Sequence, residues 1–241
     1  MEEKVKIIIK LELKQNELPL DYRRACVSFI KSSLCDKMPE LFNEFYKSNK
    51  EKNFAFDLKM NNPKFEEDKI LLDNNKLLFT IITNDFGLGI DFYNCFLARR
   101  AKEHPLANGN SMKISDINLN NHKNIESSRV RIKFFSPVVV RDHEKGEKDK
   151  YYLFGDEKFN DGLNICVENQ LKNCGLSTMD SEIKLIPVFA RKVIVKSFGI
   201  SIPGSIGIFD LAGDRETINA IYQMGIGSRR SEGFGTFEIV G

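Results

Sequence analysis

Residues 214–240 read DRETINAIYQMGIGSRRSEGFGTFEIV. Asp214–Met224 has helical spacing, Gly225 stops it as a C-terminal glycine does, and Phe234–Val240 has the apolar pattern of a strand. A helix delivered through a glycine-rich turn into a closing strand is the end of a larger unit, and the chain upstream supplies the rest. Val130–Val140 predicts a strand, Glu157–Leu171 a helix, and Lys184–Lys196 and Phe198–Phe209 two more strands. The order is strand, helix, strand, strand, helix, strand, which is the ferredoxin-like βαββαβ order.

The first half repeats that order. Lys4–Leu13 predicts a strand, and Pro19 opens a helix reaching about Asp36 with Tyr22, Ala25, Cys26, Phe29 and Ile30 on one side. A shorter helix, Pro39–Lys47, buries Leu41, Phe42 and Phe45. Asn53–Met60 and Lys76–Thr83 predict strands joined by a polar turn region at 61–69, followed by a helix at Asp91–Arg100 and a strand at Met112–Leu119. Asn120–Asn124 reads as a linker. The expected class is α+β, two tandem ferredoxin-like (βαββαβ, RRM-like) domains at 1–120 and 125–241. A single larger α+β domain is the alternative that periodicity leaves open.

Composition narrows the function classes. The 241 residues are 41% hydrophobic and 29% charged, ordinary for a globular chain. Thirty-six basic residues against 34 acidic leave +2, evenly spread over the two halves, so net charge makes no case for a polyanion partner. No apolar run approaches the roughly 18 residues that cross a bilayer. MEEKVKIIIKLEL carries charges inside its apolar stretch, unlike a signal peptide. The five cysteines (Cys26, Cys35, Cys95, Cys166, Cys174) contain no C-x-x-C pair, and His104, His122 and His143 are scattered and read as solvent-facing loop residues. The expectation is a cytoplasmic protein with reduced thiols and neither metal nor cofactor.

Local clustering carries more. In GIGSRRSEGFG, Gly225, Gly227, Gly233 and Gly235 free the backbone for positive φ, and with Ser228 they could turn N–H groups toward phosphate oxygens. Arg229 and Arg230 add planar donor forks. The loop runs from helix into strand and lacks a Gly-Lys-Ser/Thr ending, so it is neither a Walker A loop nor a dinucleotide fingerprint. A plain helix–strand connector is the competing reading. Ser127–Arg141 holds no acid, and Arg129, Arg131 and Lys133 alternate with Val130, Ile132 and Phe134, which puts three cations on one face of a strand. Residues 183–209 hold no acid either and carry Lys184, Arg191, Lys192 and Lys196. The competing reading for each is an ordinary solvated strand face. Together, the two stretches and the loop point to a phosphate backbone as ligand.

GIGSRRSEGFGTFEIV resembles the glycine-rich signature of the Cas6 family, the CRISPR-associated repeat-RNA endoribonucleases of the RAMP superfamily. FFSPVVVRD and the helix LNICVENQLKN resemble that family's Ser-Pro strand and Asn-bearing helix, and LPLDYRRACVSFIKSSL and KNFAFDLKM fit its opening. The resemblance implies CRISPR repeat RNA as partner and metal-independent cleavage within each repeat. A ribose 2′-OH would attack its own phosphodiester, leaving a 2′,3′-cyclic phosphate and a 5′-OH. It leaves the chain a monomer or homodimer, with other CRISPR effector subunits as further partners.

One departure stands out. Where many relatives place a histidine, this chain has Tyr46; the family's helix tyrosine falls at Lys31 and its lysine at Lys52. The implied catalytic set is Lys31, Tyr46 and Lys52, without an imidazole. Both residue types have reference pKa values near 10, so slow cleavage is expected. Two alternatives stay open: a member that binds repeat RNA without cutting it, and a structural subunit of a CRISPR RNA-guided complex.

Overall fold

The computed structural model describes residues 5–48, 51–121, 124–143, 146, 148–176 and 182–241. The first half runs β1 (Val5–Leu13), β2 (Glu17–Pro19), α1 (Tyr22–Lys37), α2 (Pro39–Lys47), β3 (Ala55–Met60), β4 (Lys64–Phe65), β5 (Lys69–Leu71), β6 (Lys76–Thr83), α3 (Phe86–Leu97), β7 (His104–Pro105) and β8 (Ser111–Asn121). The second runs β9 (Arg129–Phe134), β10 (Val140–Asp142), β11 (Lys150–Tyr152), α4 (Phe159–Asn173), β12 (Lys184–Ser197), β13 (Ile200–Ala212), α5 (Arg215–Met224) and β14 (Phe237–Ile239). The main sheets are ordered β3–β6–β1–β8–β7 and β12–β13–β9–β14. In each, the four principal strands lie second, third, first, fourth, which is the ferredoxin-like arrangement.

Backbone proximity groups the chain into two units. One comprises the described residues of 1–52, 57–122 and 196–199, the other those of 53–56, 123–195 and 200–241. Against the contiguous spans 1–120 and 125–241, two short segments change sides. Among the described residues no helix is long and apolar enough to cross a membrane.

In the first unit, Val5, Ile7, Ile9, Leu11 and Leu13 of β1 face inward, while Lys6, Ile8, Lys10 and Glu12 line the other face. Aromatic rings complete the core: Phe29 of α1 lies 6.1 Å from Phe79 of β6 and 5.2 Å from Phe96 of α3. Pro19 closes β2 rather than opening α1, which Asp21 caps instead. Helix α3 starts earlier than Asp91, because Asp85 accepts from the Leu88 N–H at 3.0 Å and carries the helix across Gly87 and Gly89. Those glycines hide the helical pattern, yet Gly89 is needed: a Cβ there would stand 2.9 Å from Val5 side-chain carbons. The 61–69 turn region holds β4 and leads into β5, and both join β2 in a small separate sheet.

In the second unit, Val130, Ile132 and Phe134 of β9 pack with Phe209 and Leu211 of β13 against Leu163 and Val167 of α4 and Ile218 and Ile221 of α5. Burying each such side chain contributes about 1.5–3 kcal/mol. Both helices cover one sheet face, leaving the other open. The expected strand Val130–Val140 is broken: β9 ends at Phe134, the chain bends, and Val140 begins a hairpin with β11. Pro137 lies at the break and has no N–H to offer a ladder.

Candidate active site and nucleic-acid interface

The three residues implied as catalytic meet at one ring. The Lys31 Nζ, from α1, lies 4.6 Å from the Tyr46 ring centroid, and the Lys52 Nζ lies 5.2 Å from it. Tyr46 sits at the end of α2, braced by Phe42 at 5.5 Å and Phe45 at 6.4 Å. Its hydroxyl is buried without a hydrogen-bond partner among the described residues, and burial pushes the phenol above its usual pKa. The phenol is therefore protonated at neutral pH, and beside it stand the ammonium groups of the partly exposed Lys31 and Lys52. Each ammonium on the ring face is worth about 0.5–2 kcal/mol of attraction. The ring acts as a mount for paired positive charge, which suits a phosphorane better than it suits proton abstraction.

The glycine loop is packed rather than open. Gly225, Gly227, Gly233 and Gly235 all have positive φ, and a Cβ on Gly235 would stand 2.0 Å from the Ile226 carbonyl oxygen. Its N–H groups are drawn inward: Ile226 donates to Gly235 O at 2.9 Å, Ser228 to Val139 O at 2.8 Å, and Gly235 to Pro137 O at 2.9 Å. The Thr236 N–H donates to Ser136 Oγ at 3.0 Å. The Ser-Pro segment is thus the bed on which the loop lies. Arg230 is only 3% exposed and donates from Nη1 to Met224 O at 2.9 Å, closing the end of α5. Arg229 is held by Glu232 at 2.9 Å and lies 3.7 Å from Asp149. The donor forks expected to face phosphate are thus partly engaged inside the fold in this conformation, Arg230 on Met224 O and Arg229 on Glu232.

The basic strands fare differently. Arg129, Arg131 and Lys133 are exposed and alternate with buried residues, as expected of an open sheet face. Asp210 of β13, opposite Arg131 in the ladder, binds Arg131 at 2.8 Å and Arg129 at 3.1 Å. These guanidinium groups, Arg131 first, hold the Asp210 carboxyl below the usual range. Among the described residues Lys133 makes no ion pair. On β12, Lys192 lies 3.4 Å from Asp156, while Arg191 and Lys196 are exposed without ion pairs among the described residues.

His104 is not a solvent-facing residue. It is 5% exposed, its ring stands edge-on to Phe29 at 5.4 Å, and its Nδ1 lies 3.4 Å from Ser32 Oγ. Burial, with Arg99 adding repulsion, lowers its pKa to about 4. His143 is exposed as expected, with Nδ1 2.7 Å from Asp149 Oδ1. His122 lies outside the described residues.

Two residues that shape the glycine loop and its surroundings escaped the sequence reading. Buried Gln170 of α4 donates from Nε2 to Gly225 O at 2.7 Å, and Asn164 donates to Ile183 O at 2.9 Å while accepting from Ile183 N–H at 2.7 Å. Their signal was weak, since they are two of five side-chain amides on α4, in the very segment that resembles the family's Asn-bearing helix.

The family model for "CRISPR associated protein Cas6, C-terminal" matches residues 119–239, just over half of the chain. The chain belongs to the Cas6 family. Solved structures agree over nearly the full length. A RAMP protein described as binding different RNA substrates is 19% identical, with a TM-score of 0.84 over 98% of this chain and 100% of that one. A Cas6-related protein of Pyrococcus furiosus is 22% identical, with a TM-score of 0.82 over 98% of both chains. A Cas6 product complex is 14% identical, with a TM-score of 0.73 over 98% of this chain and 100% of that one. At these identities the likeness is one of fold. No curated protein matches the chain significantly.

Proposed function

We propose that this Cas6-family chain binds CRISPR repeat RNA and cleaves it slowly, without a metal, at the cluster of Lys31, Tyr46 and Lys52. The observation that carries the reading is the convergence of two ammonium groups on the Tyr46 ring, at the positions the family resemblance singles out. The 2′-oxygen attacks the adjacent phosphorus, the bond from phosphorus to the 5′-oxygen breaks, and the products are a 2′,3′-cyclic phosphate and a 5′-OH. Lys31 and Lys52 offset the negative charge that builds on the phosphorane, and either ammonium can hand a proton to the departing 5′-oxygen. Water takes the 2′-OH proton. Lacking a tuned base costs about 10²–10⁴ in rate. RNA contacts are assigned to the exposed cations Arg129, Arg131, Lys133, Arg191, Lys192 and Lys196.

A second reading, RNA binding without cleavage, is favoured by the enclosed Tyr46 hydroxyl and by a His104 that is buried and neutral. Incubation with cognate repeat RNA in EDTA separates the two. Single-site cleavage with a cyclic phosphate end supports the first. Tight binding with intact RNA after long incubation overturns it in favour of the second.

A further inference from the structure

The open face of the first sheet holds a groove of about 490 Å³, within the size range of small-ligand sites and lined from four strands. Lys10 and Glu12 of β1, Lys59 of β3, Lys76 and Leu78 of β6 and Ser115 of β8 form its walls. It lies where the β1–β8 register shifts between Lys10 and Leu11, and at this bulge the Ser115 hydroxyl donates to Lys10 O at 3.2 Å. Bulges of this kind gather beside functional sites because they re-aim side chains.

The lining carries the ammonium groups of Lys10, Lys59 and Lys76 and the carboxylate of Glu12, with Asp116 and Lys113 paired to it from β8. Glu12 is shared with Lys113 at 3.8 Å, Lys10 is matched by Asp116 at 2.9 Å, and Lys76 has no ion pair among the described residues. No aromatic residue lines the groove; Leu78, paired with Lys10 in the ladder, is the aliphatic side chain on its face, while Leu11 and Leu77 turn their side chains to the core behind it. A base therefore finds no stacking partner, whereas a phosphate finds ammonium donors and a ribose finds hydroxyl and amide groups from Ser115 and Asn61.

We propose that this groove seats one sugar-phosphate unit of the bound RNA, independent of base identity. The proposal rests on the reading that the chain binds repeat RNA and adds a contact on the first unit that neither the glycine loop nor the basic strands of the second provides. Free nucleotides share the chemistry, so the test separates them.

The double variant Lys59→Gln/Lys76→Gln changes only solvated sheet residues, and circular dichroism confirms that it folds. RNA affinity is measured by fluorescence anisotropy from 50 to 300 mM salt, with Lys172→Gln on α4 as a charge control. Affinity about tenfold below the parent, with a log–log salt slope shallower by about one to two, supports the proposal. Slope and affinity equal to the control overturn it. Adenosine monophosphate is titrated calorimetrically in parallel. If the double variant loses the mononucleotide yet keeps parental RNA affinity, the groove belongs to free nucleotides and the RNA assignment falls. A parent that binds no repeat RNA brings down the function reading itself, a result distinct from a variant that matches its parent.

Discussion

On the proposed function, Tyr46 separates two roles that a tyrosine beside a scissile phosphate can play. Its ring holds Lys31 and Lys52, whereas its hydroxyl is enclosed. Tyr46→Phe keeps the ring and is expected to retain cleavage within about threefold, while Tyr46→Leu loses the mount and drops the rate by at least tenfold. Single-turnover kinetics on labelled repeat RNA read both, and equal losses would return the hydroxyl to the chemistry. Lys31→Ala and Lys52→Ala should each lower the rate constant while leaving RNA affinity within a few fold. His104 acts on stability instead. Its pKa falls from about 6.5 in the unfolded chain to about 4 in the fold, so the unfolded state binds the extra proton between those values. Its contribution is complete above about pH 6.5 and is lost as the pH drops toward 4. His104→Asn, which cannot titrate, should flatten the fall in Tm across that window relative to the parent.

At the scale of elements, the glycine loop is a fitted part of the second core. Gly235→Ala forces a side chain to positive φ and into the Ile226 carbonyl, and should cost at least about 3 kcal/mol in urea unfolding. Arg230→Met removes the buried bond to Met224 O and should cost about 1–3 kcal/mol. The order of strands and helices was legible because β1, β9 and the helices carry clear two- and 3.6-residue patterns. The boundaries of α3 were not, since Gly87 and Gly89 weaken the helical signal while serving close packing on Val5. The loop's direction was also hidden: four glycines say that the backbone turns sharply, but only the Ser136–Val139 segment packed against it shows that its N–H groups turn inward. The Lys31, Tyr46 and Lys52 cluster came from matching a family pattern, and the cation–ring geometry joining them has no signature in spacing alone. Asp210 was missed for a related reason. It sits far along the chain from Arg129 and Arg131, and only strand pairing sets it between them.

For the whole molecule, the balanced net charge means that the proposed RNA affinity would depend on where cations are left unpaired. Lys133, Arg191 and Lys196 stand exposed, whereas Arg129 and Arg131 share Asp210. That clamp works as a built-in counter-ion. If RNA phosphates displace it, as the proposed function requires, ions would leave the cloud around the RNA, but the freed Asp210 carboxylate would gather a cation back from solution. Binding through these two arginines should therefore respond to salt less steeply than two arginines would alone. Asp210→Asn removes the clamp, and the expectation is tighter RNA binding at low salt with a log–log slope steeper by about one. Unchanged affinity and slope would take Arg129 and Arg131 out of the RNA contact. On the proposed function, the same carboxylate would screen the sheet of the parent against stray polyanions, so that an RNA supplying several phosphates at once would be needed to displace it.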